Sequence, residues 1–399
     1  MSAAAVPLPR ALRRCLCLDD FEAVARRKLP RPLFGYVEGA TETNSARAGN
    51  RAVFDELSFV PRMLVGVAGR DTSTTIFGKR YAAPFGIAPM GICALTAYRG
   101  DLALARAAAH GNVPMVMSSS SLIAVEEVAR AAPGVWFQAY LPRDEEATIA
   151  MMDRISRAGI ETLVVTVDSA VVPNRENNLR TGFRTPLRPN LRLAWDGITH
   201  PRWLFGTFLR TLLRHGMPHF ENAGATRGEP LVSRHVTRDF AGREHLTWSA
   251  IHAIRRRWRG PLVLKGILHP EDARLARQAG VDGLIVSNHG GRQLDHAVSP
   301  LRVLPEILEA ADGQCVMIDS GFRRGTDVLK AIALGATCAF IGRPFNYAAA
   351  VGGEAGVRHA IQLLKDEVRA DMGLLGINAL DELCPELLWS TPGYPGGCP

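Results

Sequence analysis

The sequence has no CxxC pair among its seven cysteines, no acidic excess, only 7% aromatic residues, and no long apolar run free of proline and glycine. Each absence excludes something. The cysteines (15, 17, 93, 315, 338, 384 and 398) are odd in number and scattered, so neither a disulfide framework nor a metal site is expected, and a reducing cytoplasm fits them. The longest charge-free stretch, Tyr81 to Tyr98, is interrupted by Pro84, Gly86, Pro89 and Gly91, which argues against a membrane-crossing helix. Near the start, Arg10, Arg13 and Arg14 precede no uninterrupted apolar segment, so a secretory signal is not expected. No zinc-finger spacing or basic zipper supports nucleic acid as a partner.

What is present is the balance of a globular chain: 399 residues, 47% hydrophobic and 22% charged, enough for a large core. The net charge of +8 favours acidic substrates, phosphate groups or an anionic surface.

From residue 84 onward, short apolar or β-branched runs alternate with helical patterns. Eight strands are expected: Phe85–Pro89, Pro114–Ser118, Val135–Tyr140, Thr162–Asp168, Pro261–Lys265, Gly283–Ser287, Cys315–Asp319 and Thr337–Gly342. Eight successive strand–helix units predict an α/β fold, a (β/α)8 TIM barrel and not a doubly wound sheet. Asp101, Asp144 and Thr247 are expected as helix N-caps, the three helices stopping near Gly111, Gly159 and Gly260. Residues 1–80 read as an N-terminal helical cover, 81–387 as the barrel with an insertion at 180–246 after strand four, and 388–399 as a tail. Across Thr185 to Phe220 of the insertion, with Arg184 just before that stretch, Arg188, Arg192, Arg202, Arg210 and Arg214 face one acid, Asp196, and interleave with Trp195, Trp203, Phe205 and Phe208. That mixture suits either a lid or peripheral contact with a membrane face, or an amphipathic helix packed on the barrel or another subunit.

The expected strand ends carry polar residues: Ser118, Gln138, Tyr140, Thr166, Asp168, Lys265, Ser287, His289 and Asp319, then Gly342 and Arg343. In a barrel this is the active-site face. The turns Asp319-Ser320-Gly321-Phe322-Arg323 and Gly342-Arg343 follow strands seven and eight, where backbone N–H groups and a helix start favour phosphate. His289 is followed by two glycines and Arg292, whose planar fork matches a carboxylate.

Together with Leu29-Pro30, Tyr36, Phe59-Val-Pro-Arg62, Ala88-Pro-Met-Gly91, Trp136 to Tyr140, Arg175-Glu176 and Leu264-Lys-Gly266, these motifs resemble the FMN-dependent L-2-hydroxy acid dehydrogenases and oxidases. Glycolate oxidase, L-lactate dehydrogenase and (S)-mandelate dehydrogenase are members, and the resemblance runs from about Phe21 to Leu387. It implies FMN as cofactor, a small 2-hydroxy acid as substrate, and a quinone, another carrier or O2 as electron acceptor. It implies catalytic roles for His289, Asp168, Arg292 and Lys265, with substrate held by Tyr36, Tyr140, Arg175, Arg292 and Ser120. Pro89, Met90, Gly91, Ser118, Gln138, Thr166, Lys265 and Ser287 resemble the flavin-ring and ribityl contacts. Asp319, Ser320, Gly321, Arg323, Gly342 and Arg343 resemble the ribityl and phosphate end. A homo-oligomer, a tetramer by family, is also implied.

Ser120 stands where glycolate oxidase has a tryptophan, and Gly91 where typical oxidases have alanine. Both departures point toward a dehydrogenase with space for a lactate- or mandelate-like substituent. A barrel binding a phosphate ligand without turnover would leave His289, Asp168, Arg175 and Arg292 together unexplained.

Overall fold

A computed structural model describes residues 9–184, 191–233 and 243–390 of the chain. All eight expected strands are present, as β1 (Phe85–Ile87), β2 (Val116–Ser118), β3 (Trp136–Ala139), β4 (Leu163–Thr166), β5 (Leu262–Ile267), β6 (Gly283–Val286), β7 (Cys315–Asp319) and β8 (Ala339–Ile341). They pair in parallel in that order, β8 returning to β1 through Ala339↔Phe85. A parallel bridge between Ile87 and Met115 closes the ring.

Strand alternation sorts the core into two layers. Val116, Trp136, Val164, Val263, Ile285, Met317 and Phe340 form one buried cluster with Ile76 and Tyr81, while their strand neighbours Leu163, Val165, Leu262, Leu264, Leu284 and Val286 join the helices in the larger one. Ile76 and Tyr81 belong to an antiparallel hairpin, Thr74–Ile76 with Lys79–Tyr81, that plugs the N-terminal end of the barrel. Phe77 at its tip lies 5.7 Å from Trp136, whose ring lies 5.6 Å from Phe340. Ligands therefore enter from the C-terminal strand ends.

The cover comprises helices α1 (Leu18–Lys28), α2 (Arg31–Glu38) and α3 (Ser45–Asp55). A strand at Leu57–Phe59 pairs antiparallel with Leu388–Ser390, so the tail begins as part of the cover. Lys330 donates to the Phe54 carbonyl at 2.8 Å and Arg51 to that of Gly321 at 2.8 Å, pinning α3 over the β7 end of the barrel.

Two of the three expected helix ends need correction. Asp144 is an N-cap, accepting from the Ala147 N–H at 2.7 Å. Asp101 is not: its helix spans Gly100–Gly111 with Arg99 in the cap position, and Asp101 is buried in the first turn. Thr247 sits in the cap position, but its hydroxyl pairs with that of Ser249 at 2.8 Å, and the helix stops at Arg257, before Gly260.

The insertion folds as short helices at Leu191–Ile198 and Pro201–Trp203, a π-helical turn at Leu204–Leu209, and Arg210–His215. Arg188 and the side chain of Arg192 lie outside the described residues. Trp203 is buried and donates through Nε1 to the Leu95 carbonyl at 2.7 Å, fastening the segment to the short helix Cys93–Thr96 after β1. Leu191, Trp195, Ile198, Phe205 and Leu213 are exposed. Among the described residues, no helix is long and apolar enough to cross a membrane.

Candidate active site

At the C-terminal end of the barrel lies a cavity of about 410 Å3, lined on one side by the strand ends and on the other by α2 and α3. Nearly every expected site residue borders it, among them Tyr36, Tyr140, Arg175, Lys265, His289 and Arg292. Asp168 and Ser287 are the exceptions: neither borders the cavity, and Ser287 is fully buried behind the wall, so both act through their neighbours.

Ser287 Oγ accepts from Lys265 Nζ at 2.7 Å and from the His289 N–H at 3.0 Å. The second bond helps hold His289 in a left-handed conformation, φ 57°, uncommon for a side chain bearing a Cβ. The turn presents the imidazole edge-on: Nδ1 lies 2.9 Å from Asp168 Oδ1, and Nε2 lies 3.4 Å from the Tyr140 hydroxyl. An ionised carboxylate is acceptor only, so Nδ1 carries the proton and Nε2 offers its lone pair.

Asp168 reaches His289 because Gly266 has no side chain. A Cβ there would lie 2.6 Å from Asp168 Cβ, and Gly266 has φ 110° in a bulge of β5. Burial opposes the Asp168 charge, but the His289 ring, its hydrogen bond and Lys265 outweigh it and hold the carboxyl below its ordinary range. For His289, burial prevails over Asp168 and lowers the pKa, leaving a neutral ring at neutral pH. Burial works against the Lys265 charge too, but Asp319 and Asp168 overcome it and raise its pKa; Nζ lies 2.9 Å from Asp319 Oδ2.

The two arginines expected at the substrate carboxylate are braced at the cavity wall. Arg175 donates through Nε to the Arg292 carbonyl at 3.0 Å and through Nη2 to Gln293 Oε1 at 2.7 Å. Arg292 Nη1 donates to the carbonyls of Tyr36 (2.7 Å) and Gly39 (2.6 Å), with its guanidinium carbon 4.9 Å from the Tyr36 ring centroid. Gly91 and Ser120 face Tyr36 on another wall: a Cβ on Gly91 would lie 3.0 Å from Ser120 Cβ and 3.3 Å from the Tyr36 hydroxyl.

Whether FMN fits can be judged from buried polar atoms. Gln138 Nε2 and Thr166 Oγ1, on adjacent strand ends, are buried without a hydrogen-bond partner among the described residues. Gln138 Oε1 accepts from Ser118 Oγ at 3.0 Å, which orients its amide, and Lys265 supplies a buried cation nearby. A ring with a polar edge satisfies such a set. At the other end, Arg323 Nη1 is likewise buried without a partner, although the guanidinium also lies 3.3 Å from Glu22. Ser320, in a left-handed turn with φ 81°, accepts from the Gly290 N–H at 3.0 Å. Arg343 donates to the carbonyls of Val37 (2.9 Å), Gly39 (3.0 Å) and Gly290 (3.0 Å), and burial, aided by Arg292, pushes its pKa down to about 9. It thus braces loop against cover while bordering the cavity.

Among the lining residues not expected from the sequence are Arg47, Asn50 and Arg51 on α3. Their i, i+3, i+4 spacing on one helix face was the available signal. Buried Asn50 exchanges two amide hydrogen bonds, 2.8 and 2.7 Å, with Asn288, tying α3 to the residue before His289.

Known proteins are similar to this chain over nearly its whole length. (S)-Mandelate dehydrogenase of Pseudomonas putida is 37% identical over 378 residues, covering 94% of this chain and 93% of its own. L-lactate oxidase of Lysinibacillus sphaericus is 38% identical over 371 residues, 92% and 91% respectively. The crystal structure of the monotopic membrane protein (S)-mandelate dehydrogenase superposes with a TM-score of 0.86 at 35% identity, over 95% of this chain and all of that one. The FMN-dependent dehydrogenase model matches residues 25–390, and the chain belongs to that family as an FMN-dependent oxidoreductase with a barrel fold.

Proposed function

We propose that this protein oxidises a lactate- or mandelate-like L-2-hydroxy acid to the 2-oxo acid and works as a dehydrogenase, passing electrons to a quinone or similar carrier. The observation that carries this reading is the His289–Asp168 pair, set with Nε2 toward a cavity that two braced arginines also border.

Arg175 and Arg292 would clamp the substrate carboxylate by charge-assisted bonds, and their fixed guanidinia reduce the ordering cost of binding. Tyr36 and Tyr140 would bond the hydroxyl side of the substrate. Neutral His289 takes the hydroxyl proton at Nε2, and Asp168 stabilises the imidazolium so formed through Nδ1–H. FMN bound here would supply the two-electron acceptor that oxidation at the substrate Cα requires. Gln138, Thr166 and Lys265 would hold its ring, while Ser320, Gly321, Arg323, Gly342 and Arg343 would stand at its phosphate end.

Gly91 and Ser120 support a bulky substituent, since neither fills the wall beside Tyr36. The second reading, an oxidase forming hydrogen peroxide, is kept by the similarity to an L-lactate oxidase. A peripheral membrane site for the enzyme is supported by the exposed apolar side chains of the insertion and by likeness to a protein described as monotopic. Anaerobic stopped-flow reduction of the flavin by glycolate, L-lactate and L-mandelate tests the substrate class. Reoxidation by O2 against a quinone analogue separates the two acceptors.

A further inference from the structure

A second cavity, of about 490 Å3, lies between the insertion, the end of α1, the loop after β1 and the helix Arg343–Leu375. Five cations border it: Lys28, Arg99, Arg106, Arg202 and Arg210. Among the described residues two acids do, Glu127 and Glu354, and each is committed. Glu127 pairs with Arg99, and Glu354 lies 2.6 Å from Arg358. Among the described residues, Lys28, Arg106, Arg202 and Arg210 have no ion-pair partner.

Like charges gathered around one concavity raise the local potential and attract an anion. Lys28 is half-buried, its Nζ donating to the Val351 carbonyl at 3.2 Å, and burial together with Arg202 lowers its pKa. The Arg210 guanidinium lies 3.9 Å above the Tyr98 ring centroid, and the Tyr98 hydroxyl lies 2.9 Å from His215 Nε2. Those contacts hold Arg210 at the wall. The long helix kinks here: Gly353 has φ 57° and ψ −141°, so a new helical run starts at the cavity edge and brings the positive end of its dipole. Ala97, Ala103, Ala349 and Ala350 contribute small side chains to the lining, beside Tyr98 and Leu102.

We propose that this cavity binds a phosphate monoester group carrying a small substituent. Its cations come from four separate elements, and the three guanidinia of Arg106, Arg202 and Arg210 match an anion with several oxygens better than a single carboxylate. The site is separate from the cavity that holds His289, and the proposal does not depend on the reaction assigned there. Either a soluble phosphorylated metabolite or a lipid headgroup can present that chemistry. Occupancy would tie the insertion, through Arg202 and Arg210, to the cover at Lys28 and to the helix bearing Arg106.

The test uses the FMN-loaded enzyme. Inorganic phosphate and glycerol phosphate are titrated calorimetrically, and vesicles with and without phosphatidic acid are assayed by co-sedimentation. Saturable binding is expected, at least tenfold weaker in Arg106→Ala/Arg202→Ala and unchanged in Arg256→Ala/Arg259→Ala, which removes equal charge elsewhere. Binding of the soluble probes identifies a metabolite site; binding of phosphatidic acid vesicles alone identifies a headgroup site. Amides of residues 200–215 in the unmutated enzyme should exchange more slowly with the bound probe, a readout that survives a variant failing to fold. Absence of saturable binding by every probe, equal loss in both double variants, or unchanged exchange overturns the proposal.

Discussion

His289 Nδ1 lies 2.9 Å from Asp168 Oδ1, while Asp168 Oδ2 is buried with no hydrogen-bond partner among the described residues. Asp168 Oδ1 also accepts from the Ser169 hydroxyl at 3.1 Å, and Lys265 is a second charge that lowers the carboxyl pKa. Asp168 alone raises the His289 pKa among its main influences; burial, Lys265 and Arg175 lower it.

The first prediction follows from that balance. Asp168→Asn removes the one large effect favouring the imidazolium, so the His289 pKa falls further. The acid limb of kcat/KM, which rises as His289 loses its proton, should move to lower pH. The plateau rate of flavin reduction should fall roughly 100- to 10,000-fold, because the developing imidazolium has lost its partner. A variant with an unmoved acid limb would separate Asp168 from His289.

Lys265 and Asp319 form a buried pair, 2.9 Å apart and each almost fully enclosed. Breaking such a pair from one side leaves an uncompensated charge, at a cost of about 3–5 kcal/mol. Lys265→Met should lower unfolding stability by that order in urea, and Asp319→Asn in the same chain should restore much of the loss. Without restoration, the damage lies in packing and not in charge.

The barrel was legible because each strand is a short apolar run bounded by glycine, proline or a polar end, and the strand ends then named the site. Asp168 could be placed beside His289 only through family resemblance: 121 residues separate them, and the bulge at Gly266 that lets them meet has no local signature. α3 was missed for a physical reason. Its buried face is Ala46, Asn50, Val53 and Phe54, and the asparagine breaks the apolar stripe that marks an amphipathic helix. Arg343 read as a phosphate ligand because glycine precedes it, yet its hydrogen bonds go to carbonyls at positions 37, 39 and 290, a tertiary fact. Asp101 read as a cap because acids favour helix starts; the helix starts two residues earlier, with Arg99 in the cap position, and the Asp101 carboxyl is enclosed instead.

That enclosure has a pH consequence. Burial pushes the Asp101 carboxyl from 3.8 up to about 6, against weaker opposing effects of Ser121 and Arg99. A carboxyl whose folded pKa is raised favours the folded state below the unfolded pKa, and that contribution is lost as pH rises through the folded value. Asp101→Asn should therefore gain stability over the parent as pH rises from about 4 to 7, by roughly 1–3 kcal/mol. Urea midpoints at both ends of the window measure it, and a difference independent of pH would contradict the burial argument.

The insertion supplies a fourth prediction. Trp195, Phe205 and Leu213 are exposed beside Arg202, Arg210 and Arg214. Anionic vesicles should bind the enzyme at low salt and release much of it as salt screens the arginines. Phe205→Ser/Leu213→Ser should reduce binding at every salt concentration, because the apolar contribution is not screened. Failure of the parent enzyme to float with vesicles at either salt would leave the segment as a lid or subunit contact.

Ser120 sets the last prediction. Its backbone N–H donates to Ser118 Oγ at 3.1 Å, so the loop position is fixed, and its Cβ faces the bare Gly91 α-carbon next to the Tyr36 hydroxyl. A tryptophan there fills the space beside Tyr36, and a tight pocket cannot absorb an aromatic substituent as well: overpacking costs typically 1–3 kcal/mol. Ser120→Trp should slow flavin reduction by L-mandelate roughly 5- to 100-fold more than reduction by glycolate, the ratio that such a cost produces in a rate. Reduction rates are the proper measure, because slow reoxidation can mask a change in turnover. Equal slowing of both substrates would mean that Ser120 does not border the substituent, and selectivity would then have to arise from another wall of the cavity, with Tyr140 and the Arg243 guanidinium 4.2 Å from its ring centroid the next residues to vary.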